Sequence, residues 1–219
     1  VQIHAAHGYL ISQFLSPRTN LREDQWGGTL ENRARLLLEI IRRSRAEVGA
    51  GFAIGVKLNS ADFQKGGFSH EDCLAVIDWL NGEAVDFVEV SGGNYEQPQM
   101  MGLDGLEAPE SDGRLRASTV AREAYFVEYA NAVRDRAKMP VMATGGFRSL
   151  HAMNAALTEG KADLIGLARP LCGEPDLPKQ LLDGTVSEAT DFAAGLRLGP
   201  TRWLSVDSPI SLIKTINGW

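Results

Sequence analysis

The sequence predicts an α/β fold on a parallel sheet, of the eight-stranded barrel type. Two observations carry this reading: apolar strand-like runs alternate with helical segments five times, and glycines and an arginine stand where the last two strands end. A strand followed by a helix and then another strand needs a crossover connection, and such connections give parallel pairing. An open doubly wound sheet that binds a dinucleotide would carry a GxGxxG turn after its first strand, and none is present. A barrel instead builds its phosphate site after its final strands, which end here in Thr144-Gly145-Gly146-Phe147-Arg148 and Gly166-Leu167-Ala168-Arg169-Pro170. Paired glycines let backbone N–H groups approach an anion closely, and Arg169 adds a bidentate donor.

The predicted strands are Val1 to Ile3, Ala53 to Leu58, Val85 to Ser91, Val141 to Thr144 and Asp163 to Leu167, each a short apolar run. The first helix, Leu30 to Val48, sets Leu30, Ala34, Leu37, Leu38 and Ile41 on one face, with Thr29 as its N-cap. Helices over His70 to Leu80, Thr119 to Ala137, Leu150 to Glu159 and Leu177 to Leu182 follow the later strands. Residues 94 to 118, rich in Gly, Pro and acidic side chains, form the longest loop, a kind of segment that over a barrel's catalytic face is usually functional. The chain opens inside an apolar strand with no methionine or charged leader, and is read as an N-terminally truncated piece.

Composition bounds the function. With 219 residues, 44% hydrophobic and 23% charged, the chain can bury a sizeable core. A net charge of -6 argues against a nucleic-acid surface, and the basic run Arg42-Arg43-Ser44-Arg45 sits late in a helix, where cations offset the dipole. No run approaches the roughly 18 apolar residues of a membrane helix. Cys73 and Cys172 stand apart, outside any metal or redox motif, which suits a reducing cytoplasmic setting; Cys73 falls in a helical pattern as a small core residue. His70 and His151 open helices and are read as capping or surface residues.

The chemistry concentrates near the amino terminus, in His4-Ala5-Ala6-His7-Gly8-Tyr9. Two imidazoles and a phenol where a strand ends can hold an oxygen atom and deliver a proton. His4 and His7 differ by three and would point opposite ways on a strand, so they converge only if His7 has already left it. As neutral donors they would stabilise charge developing on a carbonyl oxygen.

These residues carry a family resemblance. His4 to Leu10, running into Gln13-Phe14-Leu15-Ser16-Pro17-Arg18-Thr19-Asn20 and Gly27-Gly28-Thr29-Leu30-Glu31-Asn32-Arg33, resembles the long signature of the Old Yellow Enzymes, the NADH:flavin oxidoreductase family. Val56-Lys57-Leu58-Asn59, Arg122-Glu123-Ala124-Tyr125-Phe126, Thr144-Gly145-Gly146-Phe147 and Ala168-Arg169-Pro170 match in the same order. The resemblance implies a (β/α)8 TIM barrel holding FMN, with strands four to eight present here. It divides the chain into a partial FMN-binding barrel over 1–184 and an extension of the same domain over 185–219.

The resemblance also implies roles. His4 and His7 would bind an enone carbonyl, and Tyr9 would bind substrate and protonate the α-carbon, a task suited to a phenol. Lys57 would set an ammonium near the flavin N1 and O2 where the family often has Arg, while Gly145, Gly146 and Arg169 would hold the phosphate. The bland alternative for Lys57 is a sheet cap with its head in water. Trp26 stands where the family commonly has Tyr and is read as packing.

The implied reaction passes hydride from NADH or NADPH through FMN to the activated C=C bond of an α,β-unsaturated carbonyl compound. The alternatives are an NAD(P)H oxidase, a quinone or flavin reductase of the same family, or a non-catalytic half-barrel. No metal, nucleic acid or membrane partner is implied, and a homo-oligomer is left open. Dienoyl reductases of the family carry a cysteine cluster after the barrel, and here only Cys172 lies there.

Overall fold

The computed structural model describes residues 1–91, 129–145 and 147–190. The strands are β1 (Gln2–Ala5), β2 (Gly55–Asn59), β3 (Phe87–Ser91), β4 (Val141–Thr144) and β5 (Leu164–Gly166). They form one parallel sheet in sequential order β1-β2-β3-β4-β5. The helices are α1 (Leu10–Leu15), α2 (Leu30–Val48), α3 (His70–Leu80), α4 (129–136), α5 (Leu150–Thr158) and α6 (Leu177–Leu182). The 94–118 loop, the Arg122–Phe126 block and Gly146 lie outside the described residues.

Strand alternation sorts the chemistry. On one face Ile3, Ala5, Val56, Leu58, Val88, Val90 and Val141 join Leu37 and Ile41 of α2 and Val76, Ile77 and Leu80 of α3 in a single apolar cluster. Burying a side chain such as Leu37 or Ile41 stabilises the fold by roughly 1.5–3 kcal/mol each. The opposite face is set by a register row that runs His4, Lys57, Glu89, Met142 and Leu164 across the five strands. Helices therefore cover the apolar face, while the other collects the polar side chains.

Helix ends follow local rules. Thr29 caps α2 by accepting from the Asn32 N–H, and Ser69, one residue before His70, caps α3 by accepting from the Asp72 N–H. His70 is instead the first helical residue, with Nδ1 3.2 Å from the Ser60 carbonyl and its ring edge-on to Tyr129 at 4.6 Å. His151 is exposed on α5. In the basic run, Arg42 pairs with Glu83, Arg43 with Glu39 and Arg45 with Asp86, so the helix end is neutralised by its own surroundings.

One element, α1, lies within the amino-terminal signature and is not among the helices the sequence predicts. Its apolar residues Leu10, Ile11, Phe14 and Leu15 have helical spacing, but six residues are too few for periodicity to stand out. The connection from α1 to α2 is tied by two side chains. Asn20 Nδ2 donates to the carbonyls of Phe14 (2.8 Å) and Trp26 (2.7 Å). Arg33, 7% exposed, donates to the carbonyls of Leu15 (2.7 Å) and Gly28 (2.8 Å) and to Asp72 (3.0 Å). Much of the long amino-terminal signature is thus framework rather than chemistry.

The backbone divides into two units. The first, Val1–Phe147 with Met153–Gly166, holds the sheet and its covering helices. The second comprises Arg148–Ala152 and Leu167 onward. Within it the Leu150 N–H donates to the Ser187 carbonyl and the Ala189 N–H to the Arg148 carbonyl, each at 2.8 Å. A 3-10 turn, Arg169–Cys172, precedes α6 in this unit.

Candidate active site

The site is built at the carboxyl end of β1. His4 lies on that strand and His7 just beyond it, with a backbone φ of 62°, a left-handed conformation that costs a non-glycine residue energy. Leaving the strand turns the His7 ring back toward His4. The two rings meet edge to face at 5.1 Å, and the Tyr9 ring meets His4 at 4.9 Å. The three residues singled out from sequence are therefore brought together.

Each imidazole has one nitrogen committed to the protein. The Ala6 N–H donates to His4 Nδ1 at 3.3 Å, so in the neutral ring the proton sits on Nε2, free to donate outward. His7 Nε2 lies 2.7 Å from Ser91 Oγ on β3, leaving Nδ1 as its second polar atom. The His7 backbone N–H donates to Asn59 Oδ1 at 3.2 Å, and Asn59 Nδ2 donates to the buried Asp62. Burial pushes the Asp62 carboxyl up, against the pull of the Phe68 N–H and Asn59.

Electrostatics keep both rings neutral. Burial, and next the Lys57 ammonium, lower His4 and push His7 down to about 4. Lys57 does not extend into water as a sheet cap would. Its Nζ lies 2.7 Å from Glu89 Oε1, with the two side chains 16% and 5% exposed. Gln2 Nε2 donates to the other carboxylate oxygen at 2.6 Å. Burial raises Glu89, but the hydrogen bond and charge of Lys57 outweigh it and hold the carboxyl below the usual range.

Sequence reasoning passed over Glu89, Gln2, Ser91 and Asn59 as site members. The signal for Glu89 was present: a carboxylate in the middle of the apolar run Phe87-Val88-Glu89-Val90-Ser91 must be paired if it is buried.

Gly145 follows β4 with φ +116°, and a Cβ added there would meet nothing within 4 Å. The backbone at this strand end is open and in a conformation other residues avoid, as an anion-binding turn requires. Arg169 opens the 3-10 turn of the second unit and is exposed. A cation midway along β2 and an open glycine backbone at the end of β4 suit the two ends of a flavin mononucleotide, its electron-rich ring edge and its phosphate.

The sequence profile of the NADH:flavin oxidoreductase / NADH oxidase family matches residues 1–188. The chain belongs to that family. An NADH-dependent flavin oxidoreductase of Talaromyces variabilis is 39% identical over 205 residues, 93% of this chain and 48% of the relative. An NADPH dehydrogenase of Bacillus licheniformis is 34% identical over 82% of this chain and 47% of its own length. Among solved structures, an Old Yellow Enzyme homologue from Zymomonas mobilis superposes with a TM-score of 0.64 at 25% identity, covering 88% of this chain and 48% of that one. A 2-naphthoyl-CoA reductase complex gives 0.71 at 27% identity, over 95% of this chain and 29% of that one. The chain spans about half the length of these curated relatives, and its five parallel strands match part of the family's TIM barrel. Among the described residues no helix is long and apolar enough to cross a membrane.

Proposed function

We propose that this flavin oxidoreductase chain contributes the substrate face of an ene reductase, in which hydride from NADH or NADPH reaches the activated C=C bond of an α,β-unsaturated carbonyl compound. The observation that carries the reading is the triad of touching rings, His4, His7 and Tyr9, with both imidazoles held neutral. Bound FMN supplies the two-electron hydride chemistry. His4, protonated on Nε2, and His7 donate to the substrate carbonyl oxygen and stabilise the negative charge that develops there. Neutral donors suit this task because they keep their protons while the charge forms. The Tyr9 hydroxyl delivers the proton to the α-carbon. Lys57 would face the ring edge that becomes electron-rich, and the open backbone at Gly145 would receive the phosphate.

The test is His4→Ala with His7→Ala in the flavin-loaded enzyme. Loss of one such donor costs on the order of 3 kcal/mol in the transition state, so cyclohexenone reduction should fall by at least about a hundredfold. Flavin content should remain near parental. A double variant that reduces cyclohexenone at the parental rate would sink the reading. Unchanged oxidase activity in the same variant, with enone reduction lost, would separate oxygen reduction from the histidine pair.

A further inference from the structure

Glu89 does more than neutralise a buried lysine. Lys57 and Glu89 are direct register partners on β2 and β3, and His4 is the register partner of Lys57 on β1. Ammonium and carboxylate therefore stand on the same sheet face as the histidines. The carboxylate is fixed at both oxygens, by Lys57 Nζ at 2.7 Å and by Gln2 Nε2 at 2.6 Å, and its side chain is 5% exposed. A full negative charge is thus locked within hydrogen-bonding distance of the cation assigned to the flavin ring.

We propose that Glu89 is a positioning residue that sets both the direction and the effective charge of Lys57, and so lowers the reduction potential of bound FMN. The inference rests on the proposed flavin contact of Lys57. The physical argument is a balance of charges in a site of low dielectric. A lone ammonium beside the ring favours the reduced, negatively charged flavin over the oxidised one. A carboxylate 2.7 Å from that ammonium leaves a nearly neutral pair, so the preference weakens and the reduced flavin becomes the stronger hydride donor. The bond from Glu89 also holds Nζ toward β3, which fixes a flexible four-carbon side chain that would otherwise sample several rotamers.

The deciding experiment measures the midpoint potential of bound FMN, together with FMN affinity, in the flavin-loaded enzyme and three variants. Glu89→Gln, which keeps the shape and the Gln2 contact region but removes the charge, should favour reduced over oxidised FMN by about tenfold, or about 30 mV upward for a two-electron couple. Glu89→Asp keeps the charge but ends one methylene short of Nζ, and should move the potential upward by less. It decides the matter if Glu89→Gln does not fold. Lys57→Met should move the potential downward and weaken FMN binding. A potential unchanged or lowered in the Glu89 variants, with Lys57→Met still lowering it, overturns the role of Glu89 and leaves the Lys57 contact standing. If Lys57→Met alters neither potential nor affinity, the flavin contact itself fails and the inference falls with it.

Discussion

His7 combines a left-handed backbone with a half-buried neutral ring, and both have measurable consequences. Its pKa falls from the ordinary 6.5 to about 4 in the folded chain, chiefly through burial and next through Lys57. As pH drops, the unfolded chain takes up a proton near 6.5 while the folded chain resists until about 4. His7 thus contributes stability that is complete above pH 6.5 and is lost progressively as pH falls from 6.5 to about 4. For a ring this exposed the loss should be about 2 kcal/mol after solvent screening. Urea midpoints at pH 7 and pH 4.5 should fall less in His7→Gln than in the parent; an equally steep fall would rule out His7 as the source. Tyr9 is tested by kinetics. Tyr9→Phe should slow flavin reoxidation by enones at least tenfold and leave flavin reduction by nicotinamide nearly intact, since only the first needs the proton. Stopped-flow traces with equal losses in both half-reactions would remove Tyr9 from that role.

Arg33 shows how an element can be held by a single side chain. Its guanidinium reaches from α2 to the end of α1, to the turn before α2 and to Asp72 on α3, all from a buried position. Lysine has neither the planar fork nor the reach for three partners, so Arg33→Lys should cost roughly 2–4 kcal/mol, read as a lower urea midpoint with unchanged slope. A loss under about 1 kcal/mol would mean that the carbonyls find water instead. Elements with strong periodicity or a clear cap were legible from the residues alone: α2, α3 and α6 begin and end where predicted, and β4 likewise. Shorter pieces were not. β1 runs two residues further than its apolar stretch suggests, because pairing with β2 carries His4 and Ala5 into the ladder. In the site, the convergence of His4 with His7 was legible as a condition on where the strand ends. The Lys57–Glu89–Gln2 chain was not, because its members come from three strands and only register brings them together. Spacing along the chain carries no information about register between segments fifty residues apart.

For the molecule as a whole, the described sheet ends at β1 and β5, and neither has a further strand beyond it among the described residues. Five parallel strands do not close a barrel of eight, and open edges present unpaired N–H and C=O groups. Residues 1–219 expressed alone should therefore associate or aggregate and hold FMN weakly, as size exclusion and a flavin titration would reveal; a monodisperse monomer with stoichiometric FMN would refute this. Strand register also bears on how such a sheet can change over generations. Gly55 stands opposite Phe87, whose ring occupies the space a Cβ at 55 would need, and Gly166 stands opposite Thr144 in the same relation. Small and large residues thus tile neighbouring strands as complementary pieces. Neither glycine can gain a side chain first, since the intermediate would overpack. The larger neighbour must shrink before its partner can grow, which fixes the order in which mutations accumulate and makes the two positions of each pair inherit change together.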